Sequence, residues 1–295
     1  MRVLVTGAAG RIGRPVVRAF REAGHEVVAF DRVAWTHGAG ADGPARRAGL
    51  PAVRAVVGDH EDLGQVIQAA RGCEAVAHLS AIPSPGGVPD AVLFRANVMG
   101  TYNVHAAAAA LGIGTVVSTS SQSAFGWAWG RRDRDWLPRH LPLDEGHPDE
   151  PDDDYGLSKV VGEQVAACFH RKTGMRTIVL RPPYVRMPGE DVRGAVEHPR
   201  WRAALFSYLD VRDLAEAFRC AVERTELRHE VLNVCADDAL AAEPLCDLLP
   251  RLDPRFRDLA APLTGTRPMV DNGRAKRLLR WQPVHSWREA AEPAG

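Results

Sequence analysis

Short apolar runs alternate with amphipathic segments along the first two thirds of this chain. The runs are rich in Val, Ile, Leu and Ala, which is typical of strands buried on both faces of a parallel sheet. Between them, apolar residues recur with helical spacing, and this β-α-β order predicts a doubly wound α/β fold. The predicted strands cover 2–7, 25–31, 53–59, 74–81, 115–121 and 175–183, and the predicted helices cover 13–24, 62–72, 91–112, 155–174, 211–224 and 243–252.

Charge and composition exclude several classes of protein. The 295 residues carry 37 basic and 37 acidic side chains, so no net charge attracts nucleic acid or an anionic membrane. No apolar run reaches the roughly 18–20 residues that span a bilayer, and Met1 leads directly into a predicted strand rather than a secretory signal. The five cysteines are odd in number and show no CxxC spacing. We therefore expect reduced thiols in a cytoplasmic protein, with neither nucleic acid nor membrane as a partner.

The stretch VTGAAGRIG (5–13) places Gly7, Gly10 and Gly13 between a predicted strand and a predicted helix. In this context the backbone N–H groups and the positive end of the helix dipole favour a pyrophosphate. The three glycines would permit the turn, the approach of the phosphate and the packing of helix on strand. We include Arg11 and Ile12 of the same turn in the predicted cofactor site. A plain strand–helix turn is the alternative interpretation.

The second predicted strand ends at Asp31. A carboxylate at this point accepts hydrogen bonds from the ribose of an adenine dinucleotide, and it opposes the 2′-phosphate of NADP. The next residue, Arg32, is of a type that accommodates that phosphate. The sequence therefore favours NAD, with NADP left open.

The segment YGLSK places Tyr155 and Lys159 one helical turn apart. A tyrosine hydroxyl has an ordinary pKa near ~10, so it needs nearby positive charge to act as a base at neutral pH. A lysine ammonium and a nicotinamide cation would supply that charge. Ser121, at the end of a predicted strand, would hydrogen-bond the same substrate oxygen. Tyrosine and lysine at this spacing are also common on ordinary amphipathic helices, so the prediction depends on the dinucleotide site.

Together these motifs resemble the extended short-chain dehydrogenases/reductases of the NAD-dependent epimerase/dehydratase family. The resemblance covers nearly the whole chain and is carried by TGAAGRIG, GDHEDL, HLSA, NVMGTYNV, STSSQSAFG, YGLSK, YLDVRDLAEAF and RLLRWQPVHSWRE.

The resemblance implies a Rossmann-type doubly wound parallel sheet with a small C-terminal substrate lobe. The expected NAD-binding domain is 1–181, with 208–235 returning to it, and the expected lobe is 182–207 with 236–295. Counting back from Gly126 makes Ser121 the catalytic serine, with Ser120 and Ser123 as alternatives, beside catalytic Tyr155 and Lys159. The long helices 91–112 and 155–174 are expected to form a homodimer interface. The cofactor residues that the resemblance adds are Asp59, His60, Leu79, Ser80, Ala81, Asn97 and Pro182, with Lys159 on the nicotinamide ribose and Tyr155 beside it.

Two departures from the family bear on the substrate. Tyr184 stands where many nucleotide-sugar members have an asparagine that contacts the phosphate of the nucleotide. Only about 24 residues then precede YLDVRD, a short segment that carries four arginines. This favours a small anionic or polyhydroxylated substrate, as in members that oxidise free hexuronic acids, although each arginine is as easily a solvated surface residue. The arginines are Arg186, Arg193, Arg200 and Arg202.

Two further segments have open interpretations. The loop 127–139 contains three tryptophans and four arginines, and it is either a lid over the substrate or a surface loop packed on the lobe. The acidic run DEGHPDEPDDD (144–154) suggests a metal, but acids also suit the start of the following helix. The histidines show no HxxxH or HExxH spacing, and we predict no metal site.

The function expected from these features is NAD-dependent hydride transfer at a secondary alcohol of a small sugar-like substrate. The first alternative is an epimerase that keeps NAD bound and returns the hydride to the other face of the sugar. A dehydratase fits less well, because Gln122-Ser123 follows Ser121 where an Asp-Glu pair is usual. A non-catalytic NAD sensor is a third alternative, which has no need of Ser121, Tyr155 and Lys159.

Overall fold

The computed structural model describes residues 1–35, 50–127, 136–190, 192 and 204–289 of the chain. Within these residues, the centre of the fold is a seven-stranded sheet of order β3-β2-β1-β4-β5-β6-β9, in which every pairing is parallel. The strands of this sheet are β1 (Arg2–Thr6), β2 (Glu26–Asp31), β3 (Val53–Val57), β4 (Ala75–His78), β5 (Thr115–Thr119), β6 (Arg176–Arg181) and β9 (His229–Asn233).

Helices cover both faces of the sheet, as the alternating pattern predicts. Buried side chains of α1 and α5 form one hydrophobic cluster with the sheet, and those of α2, α3 and α4 contribute to another on the opposite face. The helices are α1 (Gly13–Glu22), α2 (Leu63–Ala70), α3 (Asp90–Ala110), α4 (Asp154–Thr173), α5 (Val211–Glu223), α6 (Leu245–Leu252) and α7 (Gly273–Leu279).

Burial on both faces explains why the apolar residues of strand β1 do not alternate with polar ones. Val3 and Val5 are fully buried in the cluster that contains Phe20 and Phe218. Leu4, which points to the other face, is fully buried in the cluster that contains Val104. A strand covered on both faces requires an apolar residue at every position. The predicted Rossmann-type doubly wound sheet is confirmed.

A third hydrophobic cluster lies outside the sheet. It gathers Phe125, Trp136 and Leu143 with residues from Leu205 to Trp287. Two short strands of this part of the chain form a separate parallel sheet, in which β7 (Tyr184–Arg186) pairs with β8 (Tyr208–Asp210). This cluster joins residues of the predicted lobe to Phe125, Trp136 and Leu143 of the predicted NAD-binding domain, and the division into domain and lobe stays a prediction.

The structure differs from the predicted elements at several places. The strand predicted over 115–121 ends at Thr119, because Ser121 caps a short 3-10 helix (Gln122–Phe125) and accepts a hydrogen bond from the N–H of Ser123. The helix predicted from 243 begins at Leu245, because Pro244 has extended backbone angles. The elements not predicted individually are β7, β8, β9 and α7.

Among the described residues, no helix combines the length and the apolar character that a bilayer crossing requires.

Candidate active site

A cavity of about 940 Å³ lies at the carboxyl ends of the central strands. It is located where the strand order reverses between β1 and β4, which is the usual ligand site of an open α/β sheet. Most of the predicted site residues line it. They are Gly7, Gly10, Arg11, Ile12, Gly13, Asp31, Arg32, His60, Leu79, Ser80, Ala81, Ser121, Tyr155 and Pro182.

The glycine turn forms the floor of one end of this cavity. Gly7 has a φ of +69°, and a Cβ there would lie 2.8 Å from the backbone nitrogen of Ser80. A Cβ on Gly13 would collide with the carbonyl oxygen of Gly7. Only glycine permits this turn to pack against β4 and to begin α1 at once. The result is a backbone cradle at a helix N-terminus, which fits a pyrophosphate.

The end of β2 is tied to this turn. The carboxylate of Asp31 accepts hydrogen bonds from the N–H groups of Ala9, at 2.9 Å, and Val33, at 3.1 Å. The guanidinium of Arg32 instead donates to Asp59, at 3.1 Å, and to Glu61, at 2.9 Å. The acid therefore faces the cavity from a fixed position, while the neighbouring arginine is held by two carboxylates.

Asp59 and His60 follow β3. Burial acts to raise the pKa of Asp59, but hydrogen bonds from the Glu61 N–H and from Arg32 outweigh it, and the pKa is lowered overall. Burial lowers the pKa of His60, whose Nε2 lies 3.1 Å from the carbonyl oxygen of Ala96. His60 lines the cavity as a neutral ring, whereas Asp59 is not part of the wall.

Asn97 lies behind the wall rather than in it. Its amide accepts from the N–H of Ile82 at 2.7 Å and donates to the carbonyl of Ile82 and the hydroxyl of Ser158, both at 3.1 Å. These contacts use the side chain to fix the loop after β4 against α4. This location indicates that Asn97 positions the wall of the cofactor site and does not contact the cofactor directly.

The catalytic candidates meet at the other end of the cavity. Asp153 caps α4 by accepting from the N–H of Gly156 at 2.8 Å, which places Tyr155 in the first turn. The Tyr155 phenol and Ser121 both line this end of the cavity. Burial raises the pKa of Tyr155 to about 12, and the Ser121 side chain acts in the opposite direction. In the protein alone, therefore, the positive charge predicted to lower the pKa does not outweigh burial.

Lys159 lies one turn further along α4 and behind the wall of the main cavity. Its Nζ donates to the carbonyl of Thr119 at 3.2 Å and lies 5.4 Å from the centre of the Tyr155 ring. Burial lowers the pKa of Lys159 to about 8, and the charge of Glu163 acts in the opposite direction. Tyr155, Lys159 and Ser121 thus come together as the sequence predicts.

Beyond the catalytic candidates, the cavity has polar walls that the sequence did not single out. Glu190 accepts from the Tyr184 hydroxyl and from the N–H of Met187, both at 2.9 Å, and pairs with Arg11 at 3.2 Å. Gln122 lines the same region and donates to the carbonyl of Ala204 at 2.9 Å. Gln122 follows Ser121 in the STSSQSAFG motif but was not predicted to line the site, and Glu190 belongs to no motif that pointed to one, so the tertiary structure identifies both as wall residues.

Arg186, one of the four arginines considered for an anionic substrate, is turned away from the cavity. It is buried, donates to the carbonyl of Glu190 at 3.2 Å and lies 3.5 Å from the carboxylate of Asp210. It serves the β7–β8 sheet instead. The other three arginines, at 193, 200 and 202, lie outside the described residues.

The tryptophan loop is described only at its ends, because residues 128–135 lie outside the described part of the chain. Trp127 and Trp136 contact each other with ring centres 4.8 Å apart, and Trp136 is buried in the third hydrophobic cluster. Neither lines the cavity. In the part of the chain that the structure describes, no group of three His, Cys, Asp or Glu side chains is arranged to hold a metal ion.

Comparison with known proteins agrees with this geometry. A model of the NAD dependent epimerase/dehydratase family matches residues 3–235. An L-arabinose 1-dehydrogenase (NAD(P)(+)) of Haloferax volcanii is 30% identical over 75% of this chain and 82% of its own length. A UDP-glucose 4-epimerase of Rhizobium leguminosarum bv. trifolii is 32% identical over 66% of this chain. The matched region covers 54% of the length of that protein.

A solved structure of a mutated uronate dehydrogenase is similar over 98% of this chain and 84% of its own, with a TM-score of 0.67 and 26% identity. The family match covers the glycine cradle, the Ser121–Tyr155–Lys159 group and the strands that position them. It also confirms NAD as the cofactor type expected from Asp31 and the glycine turn. The chain is an enzyme of the NAD-dependent epimerase/dehydratase family, in the extended short-chain dehydrogenase/reductase group.

Proposed function

We propose that this enzyme oxidises a secondary alcohol of a free sugar or sugar acid, with NAD as the hydride acceptor. The observation that carries the proposal is that Ser121 and Tyr155 together line one end of a cavity whose other end is the glycine cradle. Cofactor site and proton-transfer group thus share one space. The proposal is more specific than the family, whose members include both dehydrogenases and epimerases.

The residues of the cavity fit a dinucleotide along its length. The N–H groups of the glycine turn and the start of α1 would hold the pyrophosphate. Asp31 would accept from the adenosine ribose, and Lys159 would donate to the nicotinamide ribose. When bound, oxidised nicotinamide supplies the site with a hydride acceptor and a positive charge. Leu79, Ser80, Ala81 and Pro182 would line the cofactor, and Asp59 would meet the adenine amino group.

Tyr155 would accept the hydroxyl proton of the substrate while the carbon–hydrogen bond breaks. Ser121 would hold the same oxygen through its hydroxyl. Burial raises the pKa of the Tyr155 phenol, so a phenolate requires nearby positive charge. The ammonium of Lys159 and the cofactor would supply it from two sides, and Lys159 carries its charge up to about pH 8.

The substrate class rests on the walls around the catalytic group. Gln122, Tyr184 and Glu190 offer hydrogen-bonding atoms to a ligand rich in hydroxyl groups. The similarity to an arabinose dehydrogenase and to a uronate dehydrogenase supports a small sugar or sugar acid. A sugar nucleotide is the competing substrate, since an epimerase is among the relatives.

The first experiment follows NADH absorbance with purified protein, excess NAD and a panel of free aldoses, hexuronic acids and sugar nucleotides. Steady NADH formation with free sugars or sugar acids is the expected result. Formation with sugar nucleotides alone would contradict the proposed substrate class. A flat trace, with tightly bound NAD and a sugar nucleotide changed in configuration, would establish the epimerase instead.

We also propose a homodimer formed through α3 and α4. These helices pack on each other, and three large apolar side chains on them are more than 40% exposed: Met99, Tyr102 and Leu157. A second copy would bury them. Tyr102→Glu should shift the sedimentation of the protein to that of a monomer, whereas Val284→Glu, at an exposed apolar position elsewhere, should not. Identical sedimentation of wild type and Tyr102→Glu would contradict the interface.

A cytoplasmic location is proposed from the cysteines. All five are free, and Cys73, Cys220 and Cys235 are buried as thiols. Burial raises the pKa of Cys73 to about 11, so this thiol stays protonated. Free, buried thiols are typical of a reducing compartment. Fractionation of cells that express the untagged chain tests this proposal.

A further inference from the structure

Three side chains on one face of α4 contact the chain where it leaves β5. Tyr155, Lys159 and Glu163 are spaced by four residues each and therefore form one row along the helix. Tyr155 lines the cavity beside Ser121, and Lys159 donates to the carbonyl of Thr119 at 3.2 Å. Glu163 continues the row, because it accepts from the hydroxyl of Ser120 at 2.5 Å. Two successive residues of the corner, Thr119 and Ser120, are thus hydrogen-bonded by successive turns of α4, and Tyr155 shares the cavity wall with the third.

Glu163 is itself fixed by a buried arginine. Its side chain is 5% exposed, and that of Arg181 at the end of β6 is 3% exposed. The guanidinium donates to both carboxylate oxygens, at 2.7 Å and 2.5 Å, and also to Asp149 at 2.8 Å. A bidentate pair of this kind sets the orientation of the carboxylate as well as its charge.

The titratable groups of the cluster that holds Lys159 and Glu163 come from four elements. Glu163 and the Tyr155 ring lie on the same helix as Lys159, Arg181 on β6, Asp149 on the segment before α4, and the buried His78 on β4. His78 is neutral, because burial holds its pKa well below the usual value. The two carboxylates therefore balance the two cations. Lys159 and Glu163 also line one small internal cavity of about 10 Å³, next to Asn97 and Ser118.

We propose that Glu163 is a positioning residue of this active site, which fixes the Thr119–Ser121 corner against α4 and supplies the negative charge that keeps Lys159 protonated beside Tyr155. The inference rests on the proposed function, since Tyr155 and Lys159 are its proton-transfer groups. It adds a group that touches neither cofactor nor substrate. Its role is exerted through Ser120 and Lys159.

The lysine content of the chain permits a direct test. The sequence has three lysines, Lys159, Lys172 and Lys276, so labelling lysine Cε with ¹³C gives three signals, and Lys159→Met identifies one of them. In Glu163→Gln we expect the pKa of Lys159 to fall by about one unit or more. Lys172 and Lys276 are internal controls and should titrate as before. Ser120→Ala removes the hydroxyl and retains the carboxylate, so it should leave the Lys159 titration unchanged.

Turnover provides a second measurement. In Glu163→Gln, kcat should fall about tenfold near pH 8 and recover partly at lower pH, because more Lys159 is then protonated. Glu163→Asp, which keeps the charge, should recover part of the rate. A merely structural role would lower the melting temperature and leave the Lys159 titration and the pH profile of kcat unchanged. That result would overturn the inference.

The inference can still be tested if Glu163→Gln does not fold or if the wild type shows no turnover. Should Glu163→Gln not fold, Glu163→Asp keeps the charge but draws the carboxylate back from the Thr119–Ser121 corner, and it should lower the pKa of Lys159 by a smaller amount. An unchanged titration in that variant would overturn the inference. The lysine measurement needs no turnover, so wild type that oxidises no sugar would refute the proposed function while the role of Glu163 is still tested.

Discussion

Asp31 and Ala9, 22 residues apart in the chain, are joined by a 2.9 Å hydrogen bond from the backbone N–H of Ala9 to the carboxylate. The bond connects the end of β2 to the glycine turn that follows β1. One side chain therefore performs two tasks, since it orders the turn and presents an acceptor to the cavity. Arg32 is engaged with Asp59 and Glu61 on the other side.

Asp31→Ala should raise the KM for NAD about tenfold or more, because a charged hydrogen-bond acceptor is worth about 1.5–3 kcal/mol. The KM for NADP should change less, since the carboxylate opposes the 2′-phosphate. The ratio of kcat/KM for the two cofactors measures this. Arg32→Ala is the matched control at the next position and should leave the preference for NAD in place. An unchanged ratio in Asp31→Ala would refute the ribose role.

Tyr155→Phe removes one hydroxyl and keeps the ring in its place. Turnover should be lost, by about 10²-fold or more, because the substrate proton has no acceptor. NADH affinity, measured by fluorescence titration, should stay close to that of wild type. Loss of NAD binding with retained turnover in the bound fraction would contradict the assignment of Tyr155 as the proton acceptor.

Gly13→Ala should destabilise the fold by about 1–3 kcal/mol, as overpacking does, and weaken NAD binding. The added methyl group would collide with the carbonyl of Gly7 and push the turn out of its cradle shape. Gly114→Ala is the control, because a Cβ there meets nothing within 4 Å. Urea unfolding of the two variants measures the difference. Equal stability would mean that the turn is not closely packed.

The buried ring of His105 makes the free energy of unfolding depend on pH in the acidic range. It is fully buried, and burial lowers its pKa to about 4 from 6.5. The unfolded chain therefore takes up a proton between these two values and the folded chain does not, so the free energy of unfolding falls as the pH drops through that window. The loss attributable to this one ring is at most roughly 3 kcal/mol near pH 4. His105→Leu should flatten that part of the stability curve, and an unchanged slope would contradict it.

The sequence allowed the sheet and the meeting of Ser121, Tyr155 and Lys159 to be predicted because both have local signatures. Continuous apolar runs specify buried strands, and the spacing of Tyr155 and Lys159 specifies one helix face. The β7–β8 pair had no such signature, since each strand has three residues and the partners are far apart in the chain. Glu190 follows β7 and contacts Tyr184 and Met187, so its place in the cavity wall depends on that long-range pairing. Arg181 and Glu163 likewise resemble ordinary residues of a strand and a helix until the fold buries them together.

The pairing of β7 with β8 has a consequence for how such an enzyme acquires new substrates. The segment between them begins at Met187 and ends at Ser207, and Tyr184 and Met187 line the same cavity as Ser121 and Tyr155. Lengthening a closed loop costs little, about 0.6 kcal/mol for each doubling. This segment can therefore be replaced or lengthened during evolution while the glycine turn and the α4 side chains Tyr155, Lys159 and Glu163 remain unchanged.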